Sequence, residues 1–489
     1  MKRLLFLLLL AATLEARPIA FTNVNVIPMT SDVVLRNQVV IADGVKIVAV
    51  GKAEEVPIPA GAQRIDGEGG YIVPGLIDLH VHVSQPDDLL LYVASGVTTV
   101  LNLSGDPAIF AFRNTPAGPR LFSSGPQLVK VETAEQARAI IEEESRAGYD
   151  AIKIYNDISL DALNTLIAEA HAHGMLAVGH IPRNLRWQDI LAAKPDAIAH
   201  AEEFLYSPVL DGDDEKIVAG MKAGGISLIT TLITYDDIGR QVNDLETLLA
   251  RGENRYVNPS IRRMWERGRN HYTNDFPAKR VPNFRRLLGF QKGLVKELGA
   301  GFVPILLGTD AGGVPFVVPG FAVIEELHEL VSAGLTPYAA MRSATIDAAH
   351  FLKKDAEFGT IEAGRAADFI LLRGNPLADI DNISLRAGVM LRGRWLDNAA
   401  LHAELDRIAA ANRDEEPVVQ AMEKGIDAVI AAARRTRARD ATVNELAYQL
   451  LYVDKNKQAA LKLFRANVAM HPQSSAARQS LEEVLKEAR

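Results

Sequence analysis

The stretch "GLIDLHVH", residues 75–82, decides the fold. It is a short apolar run that opens on glycine and ends in two histidines. A run apolar on both faces reads as a strand buried within a parallel sheet. Seven further runs of this kind follow: "GVTTVLNLS" (96–104), "RLFSSGP" (120–126), "AIKIY" (151–155), "LAVGHI" (176–181), "AIAHAEEF" (197–204), "ISLITTL" (226–232) and "VPILLGTD" (303–310). Helical patterns separate them. "TAEQARAIIEEESRAG" (133–148) has an acidic middle and ends on Gly148, and "SLDALNTLIAEAHAHG" (159–174) runs from the cap Ser159 to Gly174. Eight buried strands joined by helical crossovers predict an α/β fold, a (β/α)8 TIM barrel over residues 75–354. A doubly wound open sheet is the competing architecture, but the glycine-rich first turn it normally carries does not follow the first strand.

Two strand-rich pieces bracket the barrel. "FTNVNVIPM" and "QVVIADGVKIVAVG", with a hairpin turn at Asp43–Gly44, precede it; "AADFILLRG" (366–374) and "GVMLRGRWL" (388–396) follow it. Residues 17–74 and 355–398 are therefore expected to form one small β domain from both ends of the barrel region. Residues 236–300 are a polar insertion before the last strand, with "RRMWERGRNHY" and "FRRLLGFQKGLVKELG" reading as helices. Residues 399–489 are helical, and Ala460, Phe464 and Pro472 stand at tetratricopeptide-like (TPR-like) spacing in a single unit. One unit is too few for a solenoid, so the tail is expected to pack on a neighbouring element or on another subunit.

Composition narrows the function classes. The chain has 489 residues, is 48% hydrophobic and 23% charged, and carries a net charge of −8 without a basic block, which argues against nucleic acid as a partner. It contains no cysteine, so disulfides, thiolate metal sites and cysteine nucleophiles are excluded. Residues 1–16, "MKRLLFLLLLAATLEA", have the basic start, apolar run and small final residue of a secretory signal peptide. The expectation is an exported protein, periplasmic or extracellular, with no membrane partner once the leader is removed.

The candidate chemistry gathers at strand ends. His80 and His82 lie two apart on the first strand and so share a face. Lys153 sits within the fourth strand, His180 ends the fifth, His200 lies on the sixth, and Asp310 ends the eighth. All six fall toward the C-terminal ends of the strands, where barrel enzymes build their sites, and together they predict a metal centre. Tyr155, two residues beyond Lys153 on the same face, is placed to donate a hydrogen bond to a substrate carbonyl or carboxylate; Tyr235 is a further candidate of the same type. The Gly/Pro-punctuated loop "GGVPFVVPG" (312–320) is expected to wall the leaving-group side. His171, His173, His350, His402 and His471 read as helix residues, while His271 and His328 could approach a substrate.

The segments "PGLIDLHVH", "IKIY", "GH", "AHAEE" and "GTDAG", followed by "FGTIEAGRAADFILLRGNP", resemble the metal-dependent amidohydrolase superfamily, in its imidazolonepropionase-like and Xaa-Pro-dipeptidase-like branch, over residues 19–397. The resemblance implies a β-sandwich flanking the barrel and a centre of two divalent ions, zinc being the expected metal. Position by position it implies that His80, His82 and Asp310 bind the first ion and His180 and His200 the second. Lys153, carbamylated by CO2, would bridge them together with a hydroxide. A lysine made neutral by burial beside two dications can add CO2 and become an anionic bridge. The hydroxide would attack a polarised carbonyl, and Asp310 would pass the proton to the leaving amine. The expected activity is hydrolysis of an amide or peptide bond in a small molecule or short peptide. Two other readings remain open: a mononuclear hydrolase of a cyclic amide or amidine, and a non-catalytic exported binding protein. The stretch between His82 and Lys153 is short for the peptidase-like members, and the tail lies outside the shared pattern; a homo-oligomer through the barrel or the tail is also compatible.

Overall fold

A computed structural model describes residues 17–115, 117–206 and 213–486; the expected leader, residues 1–16, lies outside them. The barrel strands are β1 (Leu76–Val81), β2 (Val97–Asn102), β3 (Arg120–Val131), β4 (Ala151–Ile158), β5 (Leu176–Gly179), β6 (Ala197–Ala199), β7 (Ser227–Ile229) and β8 (Ile305–Leu306). They pair in parallel and in chain order. Their side chains divide between the barrel interior and the surrounding helices, so the sequence shows continuous apolar runs and not a period of two.

The ring closes between β1 and the residues that continue β8. Leu79 N donates to Leu307 O (3.0 Å), Asp310 N to His80 O (2.8 Å) and His82 N to Ala311 O (2.8 Å). Gly308 permits this approach: a Cβ there would stand 2.3 Å from Ile229 Cγ2 and 2.8 Å from His80 Cβ. A buried polar clasp locks the seam. Asp78 accepts from Thr309 N (3.1 Å), Thr309 Oγ1 (2.6 Å) and His80 N (3.2 Å). Burial pushes the Asp78 carboxyl up to about 7 against these hydrogen bonds.

The helices begin and end where the caps predict. Thr133 accepts from Gln136 N before the helix Ala134–Ala147, which stops at Gly148 (φ 91°), and Ser159 accepts from Ala162 N before Leu160–Ala172. The eighth strand prediction, 303–310, shrinks to Ile305–Leu306, and two others run on into helices. β6 stops at Ala199, and Glu203–Tyr206 is helical; β7 stops at Ile229, and a helix spans Leu232–Asn243. The β7 correction has a clear cause. The buried carboxylate of Glu326 accepts from Thr230 Oγ1, Leu232 N (3.0 Å) and Ile233 N (2.8 Å), satisfying donors at the helix start. In the insertion, "RRMWERGRNHY" is not one helix. Pro259–Trp265 ends before Gly268 (φ 86°), and Asn270 caps a new helix, His271–Asp275. Val281–Ala300 is helical as expected.

The small β domain is one mixed sheet of eight strands. Its two halves join where Phe369–Leu372 pairs antiparallel with Tyr71–Pro74. Asp368 ties it to the barrel, accepting from Arg120 Nη2 (2.7 Å) on β3 and from Arg392 N (2.7 Å). The tail is helical over Asn398–Gln420, Ile426–Thr436, Asp440–Tyr448, Lys457–Met470 and Ser475–Lys486. Ala460 and Phe464 are fully buried in its own core with Val429, Leu446 and Leu463. Among the described residues no helix is long and apolar enough to cross a membrane.

Thr309→Val keeps the shape of residue 309 and removes the hydroxyl that Asp78 accepts. Urea unfolding is expected to show a loss of about 1–3 kcal/mol, the cost of an unsatisfied buried group, with an unchanged slope. An unaltered midpoint would mean that the clasp does not hold the seam.

Candidate metal centre

All six predicted ligands converge at the C-terminal mouth of the barrel. His80, His200 and Asp310 present ligand atoms within 4.8 Å of one another. His82 Nε2 lies 2.8 Å and His80 Nε2 3.3 Å from Asp310 Oδ1, and Lys153 Nζ is 3.3 Å from His80 Nε2. The His200 ring stands 4.4 Å from that of His80 and 4.7 Å from that of His180, centroid to centroid. Tyr155 meets the His180 ring edge-on at 4.6 Å.

Each strand end is shaped for this convergence. His200 (φ 74°) and Asp310 (φ 59°) adopt left-handed backbone conformations, which are costly for residues with a Cβ and cluster at functional sites. Thr231 does the same (φ 50°), and its Oγ1 lies 2.8 Å from His200 Nδ1. His180 Nδ1 is 2.7 Å from Glu203 Oε1, and Arg183 Nη1 (2.6 Å) and Ile181 N (3.0 Å) donate to Glu203 Oε2. Both imidazoles are therefore oriented through Nδ1 and keep Nε2 for the centre, the usual arrangement behind a metal-binding histidine.

The charge states suit a cation. Burial first, then the neighbouring lysine and histidines, holds His80 well below its ordinary pKa. Burial and the adjacent His180 do the same for His200, and burial and Lys153 lower His180. Three neutral imidazoles result. Asp310 is pushed up by burial but is held at about 2 by the His82 hydrogen bond and the surrounding basic groups. Glu203 likewise stays at about 2, its bonds to His180 and Arg183 outweighing burial. Lys153 is 1% exposed, and burial lowers its pKa to about 8 despite Asp310 and Glu203. Its hydrogen-bond partner is an imidazole, not a carboxylate. Neutral imidazole nitrogens and an anionic carboxylate oxygen, buried together, are a donor set that fits a divalent ion.

Several contributors escaped sequence reasoning. Asp78 and Glu203 were legible only as charged residues inside apolar motifs, "IDLHVH" and "AHAEE". Glu326 is far away in sequence and gave no local signal. Glu202 adds a half-buried carboxyl, raised to about 8 by burial and by the nearby Glu203 and Asp310. Tyr206 and Tyr235 meet at 3.1 Å between hydroxyls, and Arg183 stacks on the Tyr206 ring at 3.9 Å. The loop at 312–320, the expected wall, starts at the centre: a Cβ on Gly313 would stand 2.7 Å from Asp310 Oδ1 and 2.8 Å from His82 Cδ2. Phe316 and Val318 are buried against Leu245, Leu248 and Trp265 of the insertion. His171 pairs with Asp196 (2.8 Å), and His328 is exposed beside Glu329, 3.9 Å away.

A closed parallel barrel with histidine, lysine and aspartate at its mouth and a β domain built from both flanks defines a class of metal-dependent hydrolase. The amidohydrolase family model matches residues 71–396, and the chain belongs to that family, hydrolases of carbon–nitrogen bonds. It is similar to an uncharacterised protein of Mycobacterium tuberculosis (23% identical over 379 residues, 70% of this chain and 90% of the relative). It is similar also to adenine deaminase 2 of Agrobacterium fabrum (24% over 347 residues, 68% of this chain but only 49% of the relative). Among solved structures, a Xaa-Pro dipeptidase with bound methionine superposes with a TM-score of 0.63 at 19% identity, covering 78% of this chain and 100% of that one. The bottromycin amidohydrolase superposes at 0.65 and 23%, covering 81% and 91%. At these identities the structural likeness speaks for the fold.

Glu203→Gln keeps the size of the side chain and removes the charge that fixes His180. Metal affinity, measured by competition with a chelator, is expected to fall about 10–100-fold. Unchanged affinity would mean that Glu203 serves only Arg183 and Ile181.

Proposed function

We propose that the protein is an exported, binuclear metal-dependent hydrolase that cleaves an amide or peptide bond in a small substrate. The observation that carries this is Lys153: a lysine 1% exposed, among the ligands, hydrogen-bonded to His80 and not to an acid. An unpaired ammonium at that depth is costly, whereas CO2 added to the amine would turn Lys153 into an anionic ligand for divalent ions. His80, His82 and Asp310 would hold one ion, His180 and His200 the other, with zinc the expected metal. Divalent ions bound there supply Lewis acidity and lower the pKa of a water.

The protein's own groups do the rest. Asp310, anionic and at the rim, accepts the proton of the attacking water and returns it to the leaving amine. Tyr155, half-buried against His180, donates to the substrate carbonyl or carboxylate. Glu203 and Thr231 keep His180 and His200 in register. The family and the dipeptidase-like structural neighbours support a dipeptide or N-acyl amino acid as substrate. The adenine deaminase relatives support a cyclic amidine as substrate, and the compact His80–His200–Asp310 group, the one set of three ligands that closes within 4.8 Å among the described residues, favours the mononuclear alternative.

Metal analysis separates the two readings: two ions per chain are expected, and one ion with full activity would establish the mononuclear form. Lys153→Ala is expected to lose metal and at least 100-fold in kcat/KM, with partial recovery in bicarbonate or acetate. Asp310→Asn is expected to abolish turnover of a dipeptide panel. Normal turnover by that variant would remove Asp310 from its role as proton carrier.

A further inference from the structure

The tail is fastened to the barrel mouth by buried polar contacts. Asn258, at the start of the helix Pro259–Trp265, donates through Nδ2 to Gln85 Oε1 (3.2 Å) and to Thr442 Oγ1 (2.8 Å). Gln449 Nε2 donates to Ser260 O (2.7 Å), and its Oε1 accepts from Arg263 Nη1 (2.8 Å). Arg439 bridges Asp87 (2.8 Å) and Glu415 (2.7 Å). Asn258, Thr442, Gln449, Arg263 and Glu415 are all buried. Buried hydrogen-bonded networks are favourable only when every member is satisfied, so they select one docked geometry. The tail thus has a fixed place over the ends of β1 and β2.

Beneath it lies a cavity of about 510 Å³, within the size range of small-ligand sites. Its floor is Val83–Gln85, which directly follows the ligand His82, together with Ser104–Asp106 after β2. Asn102 fixes that floor, accepting from Val83 N (2.7 Å) and donating to Ser123 Oγ (3.2 Å). Its roof belongs to the tail: Ala441 and Asn444 on one helix, Ala476 and Gln479 on another. Gln85 and Asn258 belong both to the fastening network and to the cavity wall. The connection from β1 to its helix is only His82–Gln85, and the tail helices cover the cavity above it.

We infer that this cavity is the outer part of the substrate site: it receives the portion of the substrate that extends beyond the scissile bond on its amino-terminal side, with the tail as its specificity wall. The inference rests on the amide or peptide reading above. The wall carries Asp106, Asp440, Glu445 and Glu483 but no lysine, arginine or histidine among the described residues. A neutral or cationic extension suits it, and an anionic one is repelled. A dipeptide leaves this cavity empty, whereas a peptide extended at its amino end fills it with the ammonium group toward the tail.

The test uses the full-length, metal-loaded protein and uncleavable peptides in which a ketomethylene replaces the scissile amide. Ala441→Trp and Ala476→Trp, on different tail helices, each fill the cavity without touching a ligand. Either is expected to weaken binding of a tripeptide analogue extended at its amino end at least tenfold, while dipeptide binding, which also reports correct folding, stays within twofold. Succinylating the amino end is expected to cost the wild type at least tenfold. Loss of both peptides, or of neither, in a variant that unfolds like the wild type overturns the inference; equal binding of the succinylated peptide overturns its charge preference. Because binding is read without turnover, a protein that discriminates these analogues but hydrolyses no peptide would refute the proposed reaction and leave the cavity assignment standing.

Discussion

An eight-stranded parallel barrel exists only if its first strand pairs with its last, and in this chain that pairing runs through the ligands. Asp310 N bonds to His80 O and His82 N to Ala311 O, so the hydrogen bonds that close the ring also set His80, His82 and Asp310 beside one another. Asp78 clamps Thr309 directly behind them. The left-handed backbone at Asp310 persists because the seam over-determines it: a barrel that failed to close would lose the centre, and a relaxed Asp310 would break the seam.

Electrostatics builds on that frame. The centre gathers four histidines and a lysine around one carboxylate, Asp310, which meets His82 and His80 directly, and in water such a cluster would repel itself. Burial eases the conflict by lowering His80, His180, His200 and Lys153, leaving three neutral imidazoles beside an anionic Asp310. The remaining charge is placed behind the ligands. Glu203, neutralised in part by Arg183, holds His180, while Thr231, set by the helix start that Glu326 caps, holds His200. The outer supports thus come from the segments that follow β6 and β7 and from the helix Phe321–Ser332, brought together from distant parts of the chain.

The same division of labour extends outward. The insertion and the tail share a polar interface, and the loop at 312–320 packs Phe316 and Val318 against the insertion while its Gly313 lies against His82 and Asp310. The barrel supplies the chemistry, and material outside the family's matched region shapes what lies above its mouth.

Much of this was legible in the one-dimensional pattern, because it depends on local periodicity and on residue type. Apolar runs alternating with capped helices specify a barrel. Histidines two apart on a strand must share a face, and a lysine inside an apolar strand needs a special reason. Strand length was less legible at β6 and β7, because what stops β7 is the carboxylate of Glu326, almost a hundred residues away. The tail gave only a single repeat-like unit, with no sign of where it would dock, since Asn258, Thr442 and Gln449 are ordinary polar residues until folding buries them together. The sequence by itself determined the barrel and picked out the side chains that meet at its mouth, which follow from short-range pattern. Only the tertiary structure decided how those ligands are oriented, which carboxylates stand behind them and what roofs the site, because hydrogen bonds between distant elements form only once the ring is closed.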